Sequence, residues 1–167
     1  MGPDGERYPC QRTAQGAYLA FVRNVPAKGY RVLRAAAGDG AAPRVRATAT
    51  GLESPFLRLT LAKNGDIASL FDKRAGREVF QPGRCGNALV AYEDKPRCED
   101  NWNLDVFYTE KAWPLDAPCQ TRVLEQGPVR AVVEVQRRFM DSTIRQRIAV
   151  YADLPCVDLE TEIDWRQ

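Results

Sequence analysis

Apolar and polar residues alternate with a period of two along much of the chain, most clearly after residue 128. Val129, Ala131, Val133 and Val135 interleave with Arg130, Val132, Glu134 and Gln136. Ile144, Gln146, Ile148 and Val150 interleave with Arg145, Arg147, Ala149 and Tyr151. Val157, Leu159, Thr161, Ile163 and Trp165 interleave with Asp158, Glu160, Glu162 and Asp164. Such alternation puts one face of a strand on a core and the other in water. Asp141-Ser142 and Asp153-Leu154-Pro155 punctuate these runs as turns. The pattern therefore predicts three consecutive antiparallel strands in a meander.

Shorter strands are expected earlier. Phe56–Leu61 and Ile67–Phe71 flank Asn64-Gly65, a strong hairpin signal because these residues tolerate the positive φ of a tight turn. Gly86–Tyr92 reads as a further strand, and Asp72 to Arg77 as a polar turn. Residues 17–23 and 30–34 are strand-like, separated by Val25-Pro26-Ala27-Lys28-Gly29. Residues 38–43 are small, polar and unpatterned, as linkers are. No amphipathic helix longer than two turns is evident. The expectation is an all-β, antiparallel β-sandwich with few or no helices. Residues 1–37 would close a preceding small β-domain, 38–43 would link, and 44–167 would open a larger sandwich.

Composition narrows the chemistry. With 44% hydrophobic residues, the 167-residue chain has the make-up of a globular protein. Its 24 basic and 22 acidic residues leave a charge of +2, which gives nucleic acid little to hold. No run of 18 apolar residues suits a membrane span, and residues 1–7 lack the apolar core of a signal peptide. Five scattered cysteines without a Cys-x-x-Cys pair suggest buried or partly buried thiols of a cytoplasmic protein. Histidine is absent. That removes Ser-His-Asp and Cys-His machinery and the commonest metal ligand, leaving carboxylate chemistry as the only catalytic style.

A series of short motifs carries a resemblance. Leu52-Glu53-Ser54-Pro55-Phe56-Leu57-Arg58 is followed by Asn64-Gly65-Asp66-Ile67-Ala68-Ser69-Leu70-Phe71-Asp72-Lys73 and by Glu93-Asp94-Lys95-Pro96. Trp102-Asn103-Leu104-Asp105-Val106-Phe107-Tyr108 and Asp164-Trp165 complete the series. In order and spacing, these resemble the β-domain region of the family 38 glycoside hydrolases, the α-mannosidases, from about residue 8 to 167. Val25-Pro26-Ala27-Lys28-Gly29-Tyr30 resembles the segment closing that family's small β-domain. Glu99-Asp100-Asn101-Trp102-Asn103-Leu104-Asp105 departs at two polar positions from the Trp-Asp-Ala-Trp-Asp-Ile-Asp of many bacterial members.

The resemblance implies the galactose mutarotase-like supersandwich of those enzymes, here truncated, in a bacterial, cytoplasmic α-mannosidase. The parent would cleave terminal α-D-mannosides with retention, using two carboxyl groups about 5 Å apart. It would also use a zinc ion. The nucleophile and zinc ligands of the family lie in an N-terminal catalytic domain, so no catalytic residue or metal ligand is expected here. Same-chain partners would be that α/β domain and a helix bundle.

Asp100, Trp102, Asn103, Asp105 and Tyr108 are the substrate-side candidates. Aromatic faces beside carboxylates and amides are how proteins hold sugars, and loops on rigid sheets carry such sites. These aromatics could equally be core or domain-interface residues. A stand-alone carbohydrate-binding or structural β-sandwich module is the alternative, and unpaired strand edges would then favour self-association. Asp158, Glu160 and Glu162 would stand about 6–7 Å apart along one strand, the spacing of a solvated face.

Overall fold

The computed structural model describes residues 2, 5–38, 40–99 and 102–167. These residues form thirteen strands in four antiparallel sheets and one 3-10 turn, Val106–Glu110. A five-stranded sheet holds β3 (Arg46–Thr48), β4 (Gly51–Glu53), β5 (Leu57–Leu61), β6 (Ile67–Asp72) and β7 (Arg77–Glu78), in sequence order. A four-stranded sheet holds β10 (Gln120–Gln126), β11 (Arg130–Phe139), β12 (Ser142–Tyr151) and β13 (Val157–Asp164), again in order. Two ribbons complete the chain, β1 (Cys10–Arg12) with β2 (Tyr18–Ala20) and β8 (Val90–Tyr92) with β9 (Ala112–Pro114).

The two larger sheets face each other as a sandwich. Val45, Leu52, Leu59, Leu61 and Ile67 pack against Ala131, Val133, Val135, Ile148, Val150 and Ala152. The residues of β11 and β12 in this core are the in-facing set of the period-two pattern. The alternate positions carry the buried pair Val132 and Ala149 and charged residues that pair across strands: Arg122 with the buried Glu134 at 2.8 Å, Arg147–Glu160 at 2.8 Å and Arg145–Glu162 at 3.6 Å. Burial of apolar area drives the packing, at about 25 cal/mol per Å². The two solvated pairs, Arg147–Glu160 and Arg145–Glu162, contribute about 0–1 kcal/mol each.

The meander expected over 129–165 is present as β11, β12 and β13. The Asn64-Gly65 hairpin is present too, with one refinement. Only Gly65 takes a positive φ, +84°, while the Gly65 N–H donates to the Ala62 carbonyl at 3.0 Å. A bulge after Thr60 absorbs the odd residue.

Elsewhere the expectation and the structure differ. The strand expected over 86–92 shrinks to Val90–Tyr92, because Gly86 is spent on a bridge with Ile67. Residues 30–34 form no strand, with Tyr30 and Val32 exposed and no ladder partner alongside. The segment 17–23 is reduced to Tyr18–Ala20, paired with β1. Cys10, Cys85 and Cys98 are exposed rather than buried, because β1 is a ribbon edge and the other two lie outside the strands. All five cysteines are free thiols.

The first ribbon is clasped to the four-stranded sheet. Gln11 is buried, and its Oε1 accepts the N–H groups of Val129 and Arg130 at 3.1 and 3.0 Å. Its Nε2 donates to Glu125 at 3.2 Å, and the Ala14 N–H donates to the other Glu125 oxygen at 2.8 Å. Arg130 closes the set with bonds of 2.8 and 2.9 Å to Glu125. Burial raises the pKa of Glu125, but the Arg130 guanidinium and these N–H donors outweigh it and hold the carboxyl below its ordinary value.

Candidate functional site

The loop 93–111 projects from the β8–β9 ribbon, whose strands pair through three residues each. At the loop's base, the Glu93 N–H donates to the Lys111 carbonyl at 3.0 Å. The Glu93 carboxylate meets the Lys111 and Lys95 ammonium groups at 2.9 and 3.0 Å. The hydrogen bond from Lys111, then that from Lys95, holds Glu93 below the usual carboxylate range. It is an anion at neutral pH and unsuited to donate a proton.

At the loop's tip, Glu99 takes a φ of +56°. Its carbonyl accepts the Trp102 and Asn103 N–H groups at 2.7 and 2.9 Å. The Trp102 ring lies in solvent, 89% exposed. Asn103 Nδ2 donates to the Cys98 carbonyl at 3.4 Å. Asp105 accepts the Arg97 N–H at 3.0 Å and precedes the 3-10 turn. The Arg97 guanidinium lies 5.0 Å from the Phe107 ring centroid. Tyr108 meets Tyr92 edge-on, with centroids 5.1 Å apart. Asp100 lies outside the described residues.

The structure therefore separates residues that the sequence crowds together. Trp102, Asn103, Asp105 and Tyr108 share the loop. Trp113 instead belongs to β9 and packs on Phe139 at 6.0 Å, and Phe139 stacks on Trp165 at 5.7 Å. The loop offers an exposed indole, a half-buried phenol, an amide and a carboxylate with one oxygen bonded to the backbone. Aromatic faces beside amides and carboxylates are the chemistry by which proteins hold sugar rings and their hydroxyls.

A second polar constellation lies inside the sandwich, where the alternation of β11 predicts an apolar residue. Arg137 is 3% exposed on the core face. Its Nε donates to the Asn64 carbonyl at 2.8 Å, and one terminal nitrogen donates to Asp66 at 3.2 Å. The other donates to Gln146 Oε1. Gln146 Nε2 donates to Asn87 Oδ1 at 3.1 Å and to Thr161 at 3.0 Å. Asn64 Nδ2 donates to Asp66 at 2.8 Å. Burial pulls the pKa of Arg137 down, and Asp66 opposes that shift. The signal available in the sequence is that Arg137 continues the in-facing series 131, 133, 135 as a charged residue. The network joins both sheets and beside it opens a recess of about 170 Å³, lined in part by Cys119, Gln136 and Arg137.

Two of the sequence motifs also meet. Lys73 donates to Glu53 at 2.7 Å and to the Ser54 carbonyl at 2.8 Å, fastening the end of β6 to the β4–β5 turn. Ser54 Oγ accepts the Phe56 and Leu57 N–H groups at 3.2 and 3.1 Å. Among the described residues, no group of three His, Cys, Asp or Glu side chains converges as a metal site. The donor set present thus does not fit zinc. No helix among them is long and apolar enough to cross a membrane.

Comparison with known proteins agrees with this architecture. The model of the family described as Glycosyl hydrolases family 38 C-terminal domain matches residues 52–167, from β4 past β13. The chain belongs to glycosyl hydrolase family 38. The matched portion is its C-terminal domain, and the motifs from Leu52 to Trp165 all fall within it. Alpha-mannosidase G of Dictyostelium discoideum is similar, 32% identical over 123 residues. That alignment takes in 70% of this chain and 11% of the relative, so the chain spans about a tenth of that protein's length.

Proposed function

We propose that this chain is a non-catalytic β-domain portion of an α-mannosidase that hydrolyses terminal α-D-mannosides with retention. The observation that carries the reading is the family 38 match over residues 52–167, joined to the similarity with Alpha-mannosidase G. In this reading the nucleophile, the acid/base and the zinc ligands reside in a catalytic α/β domain of the same protein, beside a helix bundle. Residues 1–37 close a small β-domain, 38–43 link, and 44–167 open the large sandwich. The parent is a bacterial, cytoplasmic enzyme. Trp102, Asn103, Asp105 and Tyr108 form a wall facing the mannoside, and Asp100 is a further candidate by its place in the sequence. The exposure of Trp102 supports that role, because a ring lying in solvent is free to stack on a sugar.

The same exposure favours a second reading, in which the sandwich binds carbohydrate by itself. One pair of assays separates them. The chain alone, with zinc present, is expected to release no nitrophenol from 4-nitrophenyl α-D-mannoside. Turnover abolished by Asp105→Ala would overturn the non-catalytic reading. A saturable change in tryptophan fluorescence with methyl α-D-mannoside, lost in Trp102→Ala, would establish the second reading instead.

A further inference from the structure

The loop 93–111 hangs from strands of three residues each, outside the main hydrophobic cluster. Its aim therefore rests on how the two feet of the β8–β9 ribbon are fastened. The outgoing foot, residues 112–115, is braced by Trp113 on Phe139, and the Leu115 N–H donates to the Leu89 carbonyl at 2.9 Å. The incoming foot, residues 86–89, meets both sheets of the sandwich. Gly86 exchanges backbone hydrogen bonds of 2.8 and 2.9 Å with Ile67 on β6. Asn87, next along, takes a φ of +56° and reaches the opposite sheet with its side chain. Asn87 Nδ2 donates to Gln146 Oε1 on β12 at 3.0 Å, and Gln146 Nε2 donates back to Asn87 Oδ1 at 3.1 Å.

Hydrogen bonds are directional, so a pair of amides bonded in both directions fixes rotation as well as distance. Gln146 is itself held fast. It is 2% exposed, its Oε1 also accepts an Arg137 N–H, and its Nε2 also donates to Thr161 at 3.0 Å. Arg137 in turn is tied to Asp66 and to the Asn64 carbonyl. The Asn87–Gln146 pair is thus the outer end of a chain of polar groups rooted between the sheets. It ends three residues before β8 begins, on the segment that leads into the loop.

We propose that Asn87 is a positioning residue for the sugar-facing loop: its amide pair with Gln146 sets the angle at which the ribbon presents Trp102, Asn103, Asp105 and Tyr108. The proposal rests on the reading of that loop as a wall of the mannoside site. Asn87 acts through the ribbon and touches no sugar. Groups that hold a substrate work only when a supporting shell keeps them in place, and a small rotation at the foot becomes a larger displacement at the tip. Asparagine suits the position twice over. It tolerates the left-handed φ, and its amide both donates and accepts.

Two variants test it. Asn87→Gly keeps the left-handed backbone and removes both amide bonds. Asn87→Asp also accepts that backbone and keeps an acceptor for Gln146 Nε2, while Arg137 still donates to Gln146 Oε1. In the 167-residue chain, Asn87→Gly is expected to speed backbone hydrogen exchange in β8 and β9 by about fivefold or more and to leave β11 within about twofold. Asn87→Asp should return β8 and β9 to within about twofold of the original chain. Unchanged exchange in β8 and β9 of Asn87→Gly, an equal rise in β11, or no rescue by Asn87→Asp would overturn the anchoring. In the full-length protein that carries this chain, Asn87→Gly is expected to raise KM for an α-mannoside by about 3–10-fold with kcat within about twofold. Trp102→Ala is measured beside it. A KM raised by Trp102→Ala but not by Asn87→Gly overturns the positioning role and leaves the wall standing. A KM moved by neither overturns the wall, and the positioning role with it.

Discussion

Arg137 ties the polar network of the interior together. A guanidinium on the core face of a sandwich is stable only because Asp66, Gln146 and the Asn64 carbonyl occupy three of its N–H groups. Arg137→Leu strands Asp66 and Gln146, and removing one partner of a buried pair costs about 3–5 kcal/mol. A drop of that size in urea-unfolding free energy is expected, while Arg145→Leu on the outer face shifts it by less than about 1 kcal/mol. Glu125 gives a pH signature. Its folded pKa lies below the ordinary 4.5, so the folded protein binds that proton more weakly than the unfolded chain. The resulting stability is present above about pH 4.5 and is lost as pH falls through the folded pKa. Glu125→Gln should therefore be less stable at pH 7 and show a shallower loss between pH 5 and 3, measured by thermal melts across that range. Neither role is legible from sequence. Arg137 and Asp66 lie 71 residues apart, and only an unexpected charge in an in-facing series marks them.

At the scale of elements, the legible strands were those with an uninterrupted period of two. β11, β12 and β13 follow the alternation because a two-residue turn, Met140-Asp141, keeps β11 and β12 in strict register. β10 escaped notice because a bulge between Val123 and Glu125 inserts a residue and reverses the alternation half-way along. Residues 30–34 misled in the opposite direction, having strand composition without a partner strand. The Asn64-Gly65 hairpin was legible from its turn chemistry. Gly65 is fixed twice, by its positive φ and by the Val135 side chain, which a Cβ at that position would strike. Gly65→Ala is expected to cost about 2–4 kcal/mol from left-handed strain and overpacking together, read from chemical unfolding. Gly76→Ala, also at positive φ but with open space around its would-be Cβ, is the control and should cost about 1–2 kcal/mol.

For the molecule as a whole, the core and the candidate site are separable, since the loop hangs on a ribbon outside the main hydrophobic cluster. Trp102→Ala should leave the melting free energy within about 0.5 kcal/mol, as exposed substitutions do. In a protein joining this chain to a catalytic domain, the same change should raise KM for an α-mannoside by about 3–10-fold, the loss of roughly one stacking contact. The loop's composition was readable from the sequence. Its division from the Trp113–Phe139–Trp165 stack was not, because that depends on β9 and β11 meeting in space. The clasp at Gln11 has a consequence in time. Its bonds reach residues 118 and 119 positions further along the chain, so on the ribosome the first ribbon is synthesised long before its dock exists. Contacts of such separation form late, after the local hairpins. The ribbon thus settles only after a far later stretch of chain has been made, and Gln11 works as a latch that shuts only once the β10–β11 turn has emerged.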